Sequence, residues 1–328
     1  MPTSKQDKQQ RFRELGFKHR VLLAPLSGVT DRSFRSMACR CGAGGVFSEM
    51  VAGSELVTGR AESWRRLGFD EHHVGPKIVQ LAGRDPEIMT KAAEALEEIG
   101  VDQVDINMGC PAKKVTGGYS GAALLKDLNL AANIMNAVRD AVTIRVSVKT
   151  RLGWRMRDTA PKIAELAESI GLDMITVHGR TREEFYQGHA NWLDIRAVSR
   201  ATKLPVVVNG DITNGDKALT ALRDSGAQAV MIGRGSLGQP WILQEIAAQL
   251  DGVSQQILSN DHKNELIMGF YEDELMEHGP QQGVRTARKH LDAFVKTAGG
   301  NMDLRNMLVR SKDPGEVRQA LGQLYAGH

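Results

Sequence analysis

Three groups of residues in this 328-residue chain have types and spacings suited to chemistry. The densest is Asp105-Ile-Asn-Met-Gly-Cys110-Pro-Ala-Lys-Lys-Val115, followed by Gly117-Gly118 and Gly121-Ala-Ala-Leu-Leu125. A cysteine beside proline in a Gly-rich polar loop is poorly placed for packing, so Cys110 reads as a chemical thiol with Asn107 next to it. The second group is Asn209-Gly210-Asp211 with Gly233-Arg234-Gly235. Its glycines let backbone N–H groups approach an anion, and Arg234 can pair with a phosphate bidentately. The third is Lys149 with His178, each ending a short Val/Ile-rich run. The phosphate loops imply a phosphorylated ligand, and a lysine buried there without an anionic partner would cost several kcal/mol, which points to a ligand that becomes anionic. Taken alone, His178 is as readily a core histidine with a satisfied ring.

These residues need strands to carry them. Val/Ile-rich runs recur at 20–24, 45–49, 77–81, 103–106, 143–149, 174–178, 205–209 and 229–232. Amphipathic helical stretches lie between them at 86–99, 122–141, 161–170, 217–225 and 240–250. Asp85-Pro86 and Thr159-Ala-Pro161 are helix starts, while Gly100, Gly171 and Gly226 are stops just before the next strand. Eight βα units predict an α/β fold, a (β/α)8 TIM barrel of the usual size of about 250 residues. A doubly wound sheet seldom carries eight consecutive repeats. The strands end at Pro25-Leu26-Ser27, Glu49, Gln80, Asn107, Lys149, His178-Gly179-Arg180, Asn209-Gly210-Asp211 and Gly233-Arg234. In a barrel these ends converge on one mouth, with the last two loops placed to bind phosphate. Reduced flavin mononucleotide (FMN) supplies both a phosphate and an anionic ring locus.

Past residue 250 only helical periodicity remains, at 263–278, 284–297, 301–308 and 315–325. The expected organisation is a barrel over 1–250, with 1–19 as an N-terminal extension, followed by a C-terminal all-helical domain over 251–328. Asp261 to Glu277 holds six acids and one base, whereas Gly283 to Lys312 holds seven bases and two acids. Arg285, Arg288, Lys289 and Lys296 fall on one helix face, opposite Val284, Ala287, Leu291, Phe294 and Val295. Such a stripe reads either as a solvated face or as a contact for an anionic polymer.

Composition narrows the class. Lys+Arg 42 against Asp+Glu 39 gives a net charge of +3, and 25% charged residues make an ordinary globular surface. No apolar run reaches the roughly 18 to 20 residues of a membrane span, and the polar N-terminus does not resemble a signal peptide, so a soluble cytoplasmic protein is expected. Cys39, Cys41 and Cys110 are too few for a disulfide scaffold and read as reduced thiols. They include no C-x-x-C pair, so no metal is expected. Cys39 and Cys41, at the end of the first helix, read as packing residues.

Six motifs in register resemble the tRNA-dihydrouridine synthases: Leu23-Ala-Pro-Leu-Ser-Gly-Val-Thr-Asp31, Val79-Gln80-Leu81, the Asp105–Val115 segment, Val177-His-Gly-Arg-Thr181, Asn209-Gly-Asp-Ile212 and Met231-Ile-Gly-Arg234. Arg285-Thr-Ala-Arg-Lys-His290 and the Ala-Lys-Lys after Cys110-Pro111 are similar to the bacterial B subgroup. The resemblance runs from about residue 20 to 320. It implies an FMN barrel with a helical domain that grips tRNA, NADPH as reductant and reduction of a D-loop uridine; no obligate protein partner is inferred. Carried over by motif, Pro25, Leu26, Ser27 and Gln80 would line the flavin ring, with Lys149 at its N1 side and His178 beside it. Asn209, Gly210, Asp211, Gly233 and Arg234 would bind its tail and phosphate, and Cys110 matches the family's proton donor. Leu26 stands where the family commonly has Met, and Lys149-Thr-Arg where Lys-Ile-Arg is more usual; neither change removes a group the chemistry needs.

The implied reaction explains these residue types. The C5–C6 bond of uracil is conjugated to the C4 carbonyl, so hydride added at C6 leaves enolate-like charge toward O4, and C5 then needs a proton. An ordinary thiol, with a reference pKa of about 8.5, is mostly protonated at neutral pH and can donate it. Asn107, Lys149, His178 and Arg180 are candidates to hold the uracil edge and the developing charge. Arg285, Arg288 and Lys289 are candidates for the tRNA backbone. Two other classes compete. A small-molecule FMN oxidoreductase of the dihydroorotate dehydrogenase type would not need the basic helical domain, and a non-catalytic RNA-binding protein would not need Cys110, Lys149 and the phosphate loops.

Overall fold

The computed structural model describes residues 5–70, 72–254 and 257–325. Eight parallel strands pair in chain order: β1 (Val21–Leu23), β2 (Gly45–Ala52), β3 (Ile78–Ala82), β4 (Gln103–Met108), β5 (Arg145–Arg151), β6 (Met174–His178), β7 (Val206–Asn209) and β8 (Ala229–Ile232). Leu22 of β1 lies opposite Met231 of β8, which closes the sheet into the expected TIM barrel.

The two-residue period of the strands sorts their side chains. Val104, Ile106, Val146, Val148, Ile175, Val177, Val206 and Val208 face outward into the core shared with the surrounding helices. Leu22, Ile78, Met174, Val207, Ala229 and Met231 face inward and fill the barrel's lower interior. Phe12, Leu15 and Phe17 join that inner cluster, so the N-terminal extension plugs the barrel floor. Arg145 fastens it there by donating to the Leu15 carbonyl at 3.0 Å and the Glu14 carbonyl at 2.9 Å.

Helix starts follow the capping signals. Asp85 accepts from the amides of Glu87 and Ile88 ahead of the helix Pro86–Glu98. Two expectations shift. The stretch 122–141 divides into a 3₁₀ turn, Gly121–Lys126, and the helix Leu128–Ala141, because Asp127 turns its side chain to cap Leu130. β2 and β5 run on to Ala52 and Arg151, past the expected ends at Glu49 and Lys149.

The C-terminal helices are Asn260–His278, Pro280–Ala298, Met302–Arg310 and Pro314–Leu321. They pack against the first helix of the barrel, Arg32–Arg40, where Phe34 stacks on His290 at 4.7 Å and meets Phe270 edge-on at 6.4 Å. A Cβ on Gly238, in the loop after β8, would lie 2.5 Å from the Ala293 carbonyl, so the helices also sit directly on that loop. Of the expected extension and helical domain, residues 1–4, 255–256 and 326–328 lie outside the described residues. Among the described residues no helix is long and apolar enough to cross a membrane.

Candidate active site

The strand ends converge on a cavity of about 700 Å³, within the usual range for a small-molecule or cofactor site. Its wall brings together Pro25, Leu26 and Ser27 after β1, Gln80 on β3, Asn107 and Cys110 at β4, Lys149 on β5 and His178 on β6. Asn209, Gly210 and Asp211 after β7 and Gly233 and Arg234 after β8 complete it.

The loop that carries Cys110 is held at both of its backbone ends. Asn107 Oδ1 accepts from the amides of Gly109 at 3.1 Å and Cys110 at 2.9 Å, and the Cys110 carbonyl accepts from the Ala122 amide at 3.1 Å. The turn between them depends on Gly121, with φ +61°, where a Cβ would lie 3.2 Å from that of Cys110 and 2.8 Å from Val115. The Cys110 thiol is half-buried in the cavity wall. Cys39 and Cys41 are buried elsewhere, and burial pushes their thiols up to about 11 and about 12, consistent with packing roles.

Positive charge dominates the mouth. Lys149 donates to Asn209 Oδ1 at 3.1 Å; burial, then the neighbouring Arg151 guanidinium, pushes its ammonium down to about 8 against the pull of Asp105. His178 is held well below its ordinary value by burial and by Arg151, Lys149, Arg180 and Arg234, so its ring is neutral at physiological pH. Arg180 Nη1 lies 3.2 Å from His178 Nε2 and can only donate, which makes Nε2 the acceptor and puts the ring proton on Nδ1. Asp211 accepts from Arg180 at 2.5 Å, the Ala190 amide at 2.8 Å and Arg234 at 3.3 Å. Burial works to raise that carboxyl, but these partners hold it below the usual carboxylate range. Gly210, with φ +116°, could not carry a side chain: a Cβ would lie 2.8 Å from Ala190 Cβ and 3.0 Å from the His178 ring. The result is a cavity floor of bare backbone beside an exposed Arg234, an arrangement suited to an anion.

Two groups sit differently from the sequence expectation. Arg180 does not line the cavity; it is 1% exposed behind His178, with its donors spent on the Gln187 and Gly188 carbonyls and Asp211. The basic stripe also divides. Arg285 and Lys289 are exposed and form no ion pair among the described residues, and Lys289 Nζ lies 3.6 Å from where a Cβ on Gly28 would stand. Arg288, in contrast, turns to the Ser311 carbonyl at 3.2 Å, and Lys296 pairs with Asp292 at 2.5 Å. The acidic helix does not neutralise the stripe: Glu272 pairs with Arg318 and Glu277 with Arg32.

Sequence reasoning missed Arg151, Met50, Phe185 and Tyr186, all of which line the cavity. Arg151 donates to the carbonyls of Gly109, Thr181 and Phe185 at 2.8, 2.9 and 2.8 Å, and so ties the Cys110 loop to the loop after β6. Its signal was available, since Arg151 follows Lys149 by two residues and therefore faces the same side of β5. Tyr186 is 48% exposed, with the Arg234 guanidinium 4.9 Å from its ring centroid; it comes from an irregular loop whose course no periodicity reveals.

A family model described as dihydrouridine synthase (Dus) matches residues 22–326. A probable tRNA-dihydrouridine synthase of Rickettsia conorii is 42% identical over 307 residues, covering 93% of this chain and 93% of the relative. The tRNA-dihydrouridine synthase B of Pseudomonas aeruginosa is 39% identical over 323 residues, covering 94% and 93%. Among solved structures, histamine dehydrogenase from Rhizobium sp. 4-9 superposes with a TM-score of 0.58 at 13% identity, covering 95% of this chain and 63% of that one, a likeness of fold alone. The match to the family model spans the barrel and the helices after it, and the relatives are similar along nearly their whole length: this chain belongs to the dihydrouridine synthase family.

Proposed function

We propose that the protein is an FMN-dependent, NADPH-driven tRNA-dihydrouridine synthase that reduces a uridine of the D-loop. The observation that carries this reading is the meeting of a half-buried thiol, Cys110, with a cation-lined, glycine-floored cavity of cofactor size. The names of the relatives point the same way.

The residues present fit FMN. Pro25, Leu26, Ser27 and Gln80 would flank its ring, with Lys149 and His178 near its polar edge. Asn209, Gly210, Asp211, Gly233 and Arg234 would take its tail and phosphate, with bare glycine backbone beside the Arg234 cation. Once reduced by NADPH, FMN supplies a hydride to C6 of the uracil.

The chain's own side chains do the rest. Cys110 donates the proton that C5 needs. The neutral His178 cannot serve as an imidazolium acid, but its Nδ1–H and the Asn107 amide can hold the uracil edge. Lys149 supplies the fixed positive charge for the electron density that develops toward O4. Arg180 acts from behind, fixing the His178 tautomer and the Asp211 carboxylate. The target base must leave its stack to enter the mouth, at a cost of about a few kcal/mol. Contacts from Arg285 and Lys289 to the tRNA backbone offset that cost.

The test is the purified protein itself. The proposal expects a flavin absorption spectrum and NADPH oxidation that accelerates on adding unmodified tRNA, with dihydrouridine appearing in the tRNA. A colourless protein that takes up no FMN would overturn the cofactor assignment. Oxidation driven by a small dihydropyrimidine and indifferent to tRNA would transfer the site to the small-molecule class.

A further inference from the structure

The buried Asp105 carboxylate lies beneath the cavity and takes no part in the chemistry above, yet an unbroken line of hydrogen bonds joins it to Cys110. Gln80 Nε2 donates to Asp105 Oδ2 at 2.7 Å, and Asn107 Nδ2 donates to Gln80 Oε1 at 2.7 Å. Asn107 Oδ1 then accepts the Gly109 and Cys110 amides. From the other side Gln103 Nε2 donates to Ser147 Oγ at 2.7 Å, and Ser147 donates to Asp105 Oδ1 at 2.6 Å. Asp105 is 0% exposed, Gln80 1% and Asn107 7%, so water is in no position to substitute for a lost partner.

We propose that Asp105 is a positioning residue that, as an acceptor-only group at the base of this line, sets the orientation of the Gln80 and Asn107 amides and so holds the Cys110 loop. Asn107 has a direction of its own, because the Gly109 and Cys110 amides need its oxygen, but Gln80, which can face either way, must agree with it. Asp105 secures that agreement: a carboxylate holds the NH₂ of Gln80 toward itself, which leaves the oxygen of Gln80 for Asn107 and the oxygen of Asn107 for the two loop amides. Burial pushes the Asp105 carboxyl up to about 6, opposed by the Ser147 and Gln80 donors and the Lys149 ammonium, so it is ionised at neutral pH.

The Asp105→Leu substitution keeps about the same size and removes the acceptor. Asparagine would not remove it, because Gln103 Oε1 has no partner among the described residues: Gln103 can turn to take the Ser147 proton, the new NH₂ can then face Ser147 Oγ, and the oxygen at 105 stays toward Gln80. With leucine the Gln80 NH₂ has no acceptor, so Gln80 loses its hold and with it the contact that keeps the Asn107 oxygen on the Gly109 and Cys110 amides.

The inference rests on the proposed function for its consequence, but amide exchange tests it without tRNA. In the protein as purified, with its flavin, Asp105→Leu should raise hydrogen exchange in segment 107–112 at least tenfold while the amides of Met174–His178 keep their protection. Ser147→Ala removes a bond of the same network but leaves the acceptor facing Gln80, and should leave 107–112 protected. The paired exchange Asp105→Leu with Gln80→Glu puts an acceptor-only group one step along the line and should restore protection. It decides the matter should the single variant fail to fold. Protection unchanged in Asp105→Leu, lost equally in Ser147→Ala, or still missing in a folded paired variant would each overturn the role. In single turnover Asp105→Leu should slow dihydrouridine formation at least tenfold. Absence of that activity in the unaltered protein would instead refute the proposed function and leave the exchange result standing.

Discussion

Replacing Arg151 with methionine keeps most of the aliphatic stem and removes a guanidinium that is 2% exposed and bonded to three loop carbonyls. Hydrogen bonds from a charged donor contribute roughly 1.5–3 kcal/mol each, but the buried charge has no carboxylate partner among these bonds and is repelled by Arg180, so part of that sum is already spent. A net loss of about 3–5 kcal/mol follows, the scale seen when a buried charged network loses one member. At roughly 2 °C per kcal/mol for a chain of this size, the melting temperature should fall by about 6–10 °C. A second consequence is electrostatic. Burial is the main reason the Lys149 ammonium is pushed down to about 8, and Arg151 is the next, so removing Arg151 moves Lys149 back toward its ordinary value. Calorimetry gives the first quantity, and the pH at which the protein loses affinity for FMN gives the second. A lysine at 151 offers a point charge where the guanidinium reaches three carbonyls in two loops, and should recover little of the stability. A melting temperature within 1 °C of the parent, with an unmoved pH midpoint, would refute the claim that Arg151 joins the two loops.

Three further outcomes follow from the mouth and the helices. Arg234→Ala removes an exposed phosphate partner that pairs, among the described residues, with Asp211, so the purified protein should carry less FMN at unchanged melting temperature, measured by flavin absorbance per chain. Because Lys149 must be protonated to attract an anion and titrates near 8, FMN affinity should decline as pH rises through about 8; in Lys149→Gln affinity should be weak at every pH and show no such decline in a fluorescence titration. The Arg285→Ala, Lys289→Ala pair should weaken tRNA binding at least tenfold and flatten the slope of log affinity against log salt by roughly one to two units, whereas Lys296→Ala, which loses only an ion pair to Asp292, should leave the slope alone.

Much of this site was legible because a barrel converts strand order into geometry. Once eight βα units are counted, the residue at each strand end has an address, which is why Gln80, Asn107, Lys149, His178 and Asn209 all line one cavity. What stayed hidden depended on three-dimensional partners. Arg180 ends its strand like the others, yet its side chain turns back to carbonyls eight residues or fewer along the chain and never reaches the cavity. Arg288 shares a helix face with Arg285, but only the packing of Met302–Arg310 against that helix brings the Ser311 carbonyl within its reach. Tyr186 and Phe185 come from an irregular loop, and Phe12 and Phe17 from a segment too polar overall to be read as the barrel's plug.

The central claim is that Cys110 delivers the proton to C5 of a tRNA uridine, and the most direct measurement is dihydrouridine formed in a single turnover by enzyme reduced beforehand, comparing the parent with Cys110→Ala. The account predicts equal flavin content, equal rates of reduction by NADPH, and a fall of about 10²-fold or more in the rate of dihydrouridine formation, the scale of losing a general acid. An equal rate from the alanine variant would contradict it, and would leave the thiol in the cavity wall without a chemical role.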